Sequence, residues 1–292
     1  MESAIEVPSR VEPWALANEY PASSLPGEGD THFSRRVAEK TRGRLSIRAV
    51  ADAALGFKSR DPLRAVAEGR VAMADTFSGA LAEVEPIFAL STLPFAVNGV
   101  GEARVLYEAA RPGYEAAFTR HNQKLLFSTP WPASGLWTRV PVGSVADIAA
   151  LRIRTYDETG ARLFQRLGAR ASVVSFADLG ARIAAGEIDA VLSSGDGGVG
   201  RSLWPHFPRF TAIEYAMPLS FATINLDLWD GLDAATRGLL EETARETETR
   251  QWRALEGRVA ENYARMREHG VAIDTEIPAA LRERLRAAAS ER

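Results

Sequence analysis

Between Leu151 and Ser194 a strand pattern, Leu-Arg-Ile-Arg-Thr, gives way to a helix pattern, then to Ala-Ser-Val-Val-Ser-Phe, a second helix pattern and Glu-Ile-Asp-Ala-Val-Leu-Ser-Ser. Strand, helix, strand, helix and strand in about 44 residues is the length of a βαβ series with short loops, and its sheet is mainly parallel. Open sheets of this kind hold ligands in the crevice outside the carboxyl ends of their strands. Arg154 and the pair Ser193/Ser194 fall at such ends. The chain is therefore read as an α/β protein with a ligand edge at these residues.

The rest of the chain supplies more than one such unit. A helix over Thr31–Lys40 closes at Gly43 and precedes a strand over Leu45–Val50, a helix over Asp61–Glu68 and a buried strand over Val71–Phe77. That strand ends in Ser78-Gly79, where a turn is cheap. Leu93-Pro94-Phe95 punctuates, helix resumes over Gly101–Ala110, and a strand over Leu125–Thr129 runs into Pro130-Trp131-Pro132, read as a first passage between two lobes. With 292 residues and 46% hydrophobic content there is material for two cores.

From Asp233 to His269 the chain has no proline, is helical in pattern and stops at Gly270. At a rise of ~1.5 Å per residue this helix is about 54 Å long, more than one lobe spans. Trp252, Leu255, Val259, Tyr263 and Met266 form an apolar stripe, whereas Arg245–Gln251 is polar all round. That pattern predicts an exposed middle and two ends on different bodies. The Arg-rich helix over Leu281–Arg292 reads as a solvated face.

Several function classes are excluded or weakened. Balanced charge, 35 Lys+Arg against 38 Asp+Glu, gives no field for nucleic acid or an anionic bilayer. Without cysteine there is no disulfide, thiolate metal site or thiol nucleophile, and His32, His121, His206 and His269 lack zinc-site spacing. No apolar run reaches the roughly 18 residues of a membrane span, and Met1–Glu6 lacks the features of an export signal. There is no G-x-S-x-G nucleophile elbow, and Glu241/Glu242 and Glu246/Glu248 read as solubilising.

Gly195–Gly200 fits G-x-G-x-x-G, and with Arg201-Ser202 it comes near a phosphate loop. Both motifs need a helix to begin at the last glycine, and Pro205 and Pro208 prevent it from running beyond a first turn. A flexible, ligand-facing loop is expected here, and a nucleotide- or phosphate-dependent enzyme using these glycines is the alternative function. Arg154 itself has two readings of equal weight. A buried guanidinium needs a partner, which is either a protein carboxylate or a ligand carboxylate held bidentately. Trp131, Trp137, Phe176, Tyr215 and Phe221 fall near the expected crossings and the strand ends, and together mark the walls of a cleft.

With these residues in view the chain resembles the solute-binding proteins of TRAP transporters, the DctP-type receptors. The resemblance runs from Asn18-Glu19-Tyr20 through the long helix: Phe33–Arg44, Ala54-Leu55-Gly56, Ala65–Asp75, Leu93-Pro94-Phe95 and Asn225–Trp229 with Leu232 follow the family's order. Its most specific parts are Val145–Arg154, similar to S-x-x-D-L-x-G-L-K-I-R, and Phe176–Asp189, similar to F-x-E-x-x-x-A-L-x-x-G-x-V-D. Two segments depart from it. Gly135-Leu136-Trp137 puts a tryptophan where many members carry a further arginine, and Leu192–Asp196 replaces a Glu-Asn-Pro segment.

The resemblance implies a two-lobed periplasmic-binding-protein-like fold (type II) with a long helix spanning both lobes. The expected division is 1–129 with 215–250 for one lobe and 130–214 with 251–292 for the other. It implies a receptor rather than an enzyme, located in the periplasm with its signal absent from this sequence, requiring no cofactor or metal, and not itself inserted in the membrane. Its partners would be a small carboxylate ligand and TRAP membrane subunits, and no nucleic acid. Arg154 would pair with the ligand carboxylate. The departures disfavour dicarboxylates and sialic-acid-type ligands and favour a small monocarboxylate with a ring or a polar donor. Around Arg154 the expected site residues are Tyr20, Phe77, Ser78, Trp131, Trp137, Phe176, Ser193, Ser194, Asp196, Gly197 and Tyr215.

Overall fold

Residues 13–291 are described by the structure, a computed structural model. The described residues open with β1 (Trp14–Asn18), α1 (Leu25–Lys40), β2 (Ile47–Val50), α2 (Asp61–Ala67) and β3 (Met73–Phe77). It continues through α3 (Ser78–Leu81), a 3-10 segment at Pro86–Thr92, α4 (Val100–Arg120) and β4 (Gln123–Pro130). The second body holds β5 (Ser134–Thr138), α5 (Val145–Ala149), β6 (Arg152–Thr155), α6 (Glu158–Arg166), β7 (Arg170–Val173), α7 (Leu179–Ala184), β8 (Ala190–Ser194), α8 (Gly195–Gly200) and β9 (Arg209–Thr211). The chain then returns as β10 (Leu219–Asn225), α9 (Leu226–Asp230), α10 (Ala234–Glu268), β11 (Ala272–Asp274) and α11 (Ala279–Ser290).

Two sheets result, in the orders β2-β1-β3-β10-β4 and β11-β9-β5-β8-β6-β7. In the first, β1 is parallel to β2 and β3, and β10 is antiparallel to β3 and β4. In the second, β6 is parallel to both β7 and β8, as the Leu151–Ser194 pattern predicts, while β5 runs antiparallel to β8 and β9. The chain crosses between the sheets from β4 to β5, from β9 to β10, and at the end of α10. This is the two-lobed α/β fold.

Helix α1 starts six residues before the expected Thr31. Ser24 caps it, its Oγ accepting from Gly27 N at 3.3 Å, and Pro26 occupies the first turn. Helix α4 likewise runs past Ala110 and through Pro112 to Arg120, because Tyr107, Tyr114 and Phe118 bury one stripe against Phe88 and Phe221. Tertiary burial here outweighs the cost of an interior proline.

Two expectations are overturned. The middle of α10 is not exposed all round: Arg245, Glu246, Thr249 and Arg250 face solvent, but Thr247 and Gln251 are buried, continuing a face begun by Thr243 and Ala244. Their polar groups are satisfied inside the first lobe, Thr247 by the carbonyl of Thr243 at 2.8 Å and Gln251 by donating to the Leu25 carbonyl. Beside them Glu248 accepts from Arg111 at 2.7 Å, Tyr107 at 2.7 Å and Ser128 N at 2.8 Å. Polar residues with partners bury as well as apolar ones, so polarity misjudged this face. Leu240, Ala244, Trp252 and Leu255 join the first lobe's clusters and Met266 the second's, so α10 changes bodies between Leu255 and Met266.

Gly195–Gly200 is not a flexible loop either. It is the short helix α8, capped by Ser194, whose Oγ accepts from Gly197 N at 3.2 Å, and Gly195–Val199 are buried. The helix ends at Arg201, before Pro205 and Pro208 matter. It starts at the first glycine of the run, not at the last as the phosphate motifs require. A Cβ on Gly198 would lie 2.1 Å from the Trp137 ring, so these glycines let α8 settle on that tryptophan.

Candidate functional site

The strand ends of the two sheets face one another across a narrow cavity lined by buried side chains. From the first lobe come Tyr20, just past β1, and Phe77, the last residue of β3; the crossings add Trp131 and Pro218. From the second come Ser134, opening β5, Arg154 and Tyr156 from the end of β6, Phe176 beyond β7, and Ser193 and Ser194 closing β8.

Arg154 is 2% exposed. Its Nε donates to the Val174 carbonyl at 2.8 Å and its Nη1 to the Leu192 carbonyl at 3.1 Å. These carbonyls follow β7 and belong to β8, the strands on either side of β6, so sheet order itself fixes the guanidinium plane. No acidic side chain among the described residues forms an ion pair with Arg154. Burial lowers its pKa, opposed by the neighbouring Tyr20, Glu19 and Tyr156. A desolvated cation with neutral carbonyl partners favours an anion placed against its remaining N–H groups.

The walls are aromatic. Tyr20 lies 4.4 Å from Phe176 and 4.8 Å from Trp131 between ring centroids, and Phe77 lies 5.1 Å from Tyr156 with its ring edge-on. Burial raises the pKa of both Tyr20 and Tyr156, so each keeps its hydroxyl proton and can donate. Ser134 Oγ and the Tyr156 hydroxyl are 3.3 Å apart. Ser193 Oγ fits because residue 197 is glycine; a Cβ there would lie 2.5 Å away.

Behind Trp131 a polar chain enters the first lobe. Trp131 Nε1 donates to Ser220 Oγ at 3.0 Å, and Ser220 neighbours the buried Asp75. Asp75 shares its buried site with Asp30, which accepts from Asn18 Nδ2 at 2.7 Å, and Asn18 Oδ1 accepts from Tyr20 N at 2.8 Å. Burial pushes Asp75 up to about 7 and Asp30 well above the carboxylate range, so the pair retains a shared proton. The cavity residue Tyr20 is thus joined to this buried acid pair through Asn18.

Of the residues expected from the sequence, Arg154, Tyr20, Phe77, Trp131, Phe176, Ser193 and Ser194 meet at this cavity. Five lie elsewhere. Asp196 is occupied: its Oδ2 accepts from Leu25 N at 2.8 Å and its Oδ1 from Arg258 Nε at 2.6 Å and Asn262 at 3.2 Å. Gly197 sits in α8 behind Ser193. Trp137 is buried beneath α8, donating to the Ser194 carbonyl at 3.2 Å and set edge-on to Phe210. Ser78 accepts from Leu219 N at 3.3 Å, and Tyr215 stands behind Tyr156, 6.2 Å between ring centroids. Ser134, Tyr156 and Pro218 were not anticipated. Tyr156 follows the strand end that revealed Arg154; Ser134 and Pro218 require the crossing geometry.

The model of the bacterial extracellular solute-binding proteins, family 7 (DctP), matches residues 16–291. The chain belongs to the DctP family. Among solved structures it is similar to DctP6 of Bordetella pertussis, an extracytoplasmic solute receptor binding pyroglutamic acid, with 27% identity over 95% of this chain and 92% of that one, at a TM-score of 0.90. DctP7 of the same organism, also binding pyroglutamic acid, is 24% identical over 96% and 92% of the chains, with a TM-score of 0.91. A marine metagenome TRAP solute-binding protein specific for pyroglutamate is likewise 24% identical over 96% and 92%, with a TM-score of 0.90. No curated protein matched the chain. As a DctP protein the chain is a TRAP solute-binding receptor and not an enzyme, and the nucleotide alternative on Gly195–Gly200 finds no support. DctP proteins act outside the cytoplasm, and no described helix here is long and apolar enough to cross a membrane.

Proposed function

We propose that this chain captures a small cyclic monocarboxylate, with pyroglutamate as the leading solute, and delivers it from the periplasm to TRAP membrane subunits. The observation that carries the reading is Arg154, a buried guanidinium held by two carbonyls and unpaired with any acid among the described residues, at the end of an aromatic-walled cavity. One guanidinium matches one carboxylate. The Tyr20, Phe176 and Trp131 faces suit a compact ring, and Ser193, Ser194, Ser134 and Tyr156 offer hydroxyls to a ring amide. The solute named for DctP6, at 27% identity, has this chemistry.

In this reading the lobes close about the crossings, with α10 as far as Leu255 moving with the first lobe. No cofactor or metal takes part. The test is mass spectrometry of any acid that copurifies, followed by thermal unfolding with pyroglutamate, malate, galacturonate and ATP. A specific solute stabilises the folded protein by mass action, so pyroglutamate is expected to raise Tm most. Stabilisation by ATP and by none of the acids would overturn the reading.

A further inference from the structure

Glu19 follows β1 and precedes the cavity residue Tyr20, and it is 6% exposed. Its Oε2 accepts from Ser59 N at 2.7 Å, in the first-lobe segment after β2. Its Oε1 accepts from Ala177 N at 2.8 Å, in the second-lobe segment after β7. One carboxylate therefore joins main-chain amides of both lobes. We propose that Glu19 is the closure latch of this receptor, a positioning residue that holds Phe176 over the solute by fixing Ala177 to the first lobe.

The topology puts this carboxylate where a bond has the most leverage. The crossings leave the sheets from β4, β10, β5 and β9, toward one end of each strand order. Glu19 reaches segments following β2 and β7, the edge strands at the other ends. Rotation about the crossings separates these edges most. Phe176 immediately precedes Ala177 and its ring lies tilted against Tyr20, 4.4 Å between centroids, so the residues on both sides of this cover are tied by Glu19 and its neighbour. Lys58 and Asp178 also meet across the cleft at 2.8 Å, but both side chains are nearly half exposed, and exposed pairs contribute little. Glu19 is buried and charged, so its two bonds belong to the stronger class.

This proposal rests on the receptor reading but not on the identity of the solute. It also makes a prediction opposite in sign to simple electrostatics. Glu19 acts coulombically on Arg154. Were it only a nearby negative charge, Glu19→Gln would strengthen binding of an anion. As a latch, Glu19→Gln turns one acceptor into an N–H₂ facing an N–H, and binding weakens.

The experiment uses two readouts. In stopped-flow kinetics with pyroglutamate, Glu19→Gln is expected to raise the dissociation rate about tenfold to a hundredfold with little change in association rate, the scale of a lost hydrogen bond to a charged group. Glu19→Asp, which keeps the charge but is one methylene shorter, should also weaken binding, and Lys58→Ala should change it by less than about threefold. The second readout needs no solute. The chain has no cysteine, so spin labels can be placed through Arg48→Cys on β2 and Arg170→Cys on β7. The solute-free protein is expected to hold a population at the spacing of this structure, and Glu19→Gln to deplete it. Failure of wild-type protein to bind pyroglutamate would count against the solute assignment alone. Unchanged distances, or tighter binding by Glu19→Gln, would overturn the latch.

Discussion

Arg154 gains its orientation from main-chain carbonyls on the strands flanking β6, so it is set before any ligand arrives. Lysine cannot reproduce that arrangement: it has one nitrogen, and the two carbonyls and a carboxylate compete for it. Arg154→Lys is expected to cost about 1.5–3 kcal/mol of solute binding, measured by titration calorimetry, with the fold retained in circular dichroism. The acid pair Asp30/Asp75 sets a second expectation. Burial raises Asp75 from an unfolded value near 3.8 to about 7, so the folded state holds more protons over that interval. Its contribution to stability is full below about pH 4 and is lost as pH rises toward 7. Asp75→Asn cannot titrate, and its urea midpoint should fall less than wild type's between pH 5 and 7.5. An equal fall in both proteins would count against the buried-pair assignment.

Among elements, α8 gives the clearest case of a segment whose structure the chain's local pattern conceals. Gly195–Gly200 contains four glycines and has poor helix propensity, yet it folds as helix because Ser194 caps it and because glycine alone lets it sit on Trp137. Gly198→Ala is expected to cost about 1–3 kcal/mol by overpacking against that ring, read as a fall in Tm with a changed near-ultraviolet tryptophan signal. By contrast, β6, α6, β7, α7 and β8 were legible because each signal agreed with the others: alternation, helix spacing and loop length all demanded a parallel unit. That unit located Arg154, Ser193 and Ser194. The same strand-end rule extends to Tyr156, two residues beyond Arg154. Ser134 was hidden because it opens a strand antiparallel to β8, a direction no local pattern records. The buried face of α10's middle was hidden for a related reason, since Thr247 and Gln251 are polar and only their partners reveal that they face inward.

At the scale of the whole molecule, the contacts that join the lobes differ in where they lie along the cleft. Glu19 bonds segments after the outer strands β2 and β7, whereas Asp196, at the start of α8 after the inner strand β8, accepts from Leu25 N in the first lobe and from Arg258 and Asn262 of α10. Because α10 packs on both lobes, Asp196 is tied to the element about which they are joined, and a contact there moves less on opening than one at the outer edge. Asp196→Asn should therefore act mainly on folding. Arg258 keeps Glu28 at 3.0 Å, so it is not left as an isolated buried charge and the full penalty of a broken pair does not apply. The expected loss is about 1–3 kcal/mol of stability in denaturant titrations. The solute dissociation rate of Asp196→Asn should rise less than that of Glu19→Gln, even though Asp196→Asn is the less stable protein. The reverse order, with faster solute release from Asp196→Asn, would place the moving contact at α8 and the pivot elsewhere.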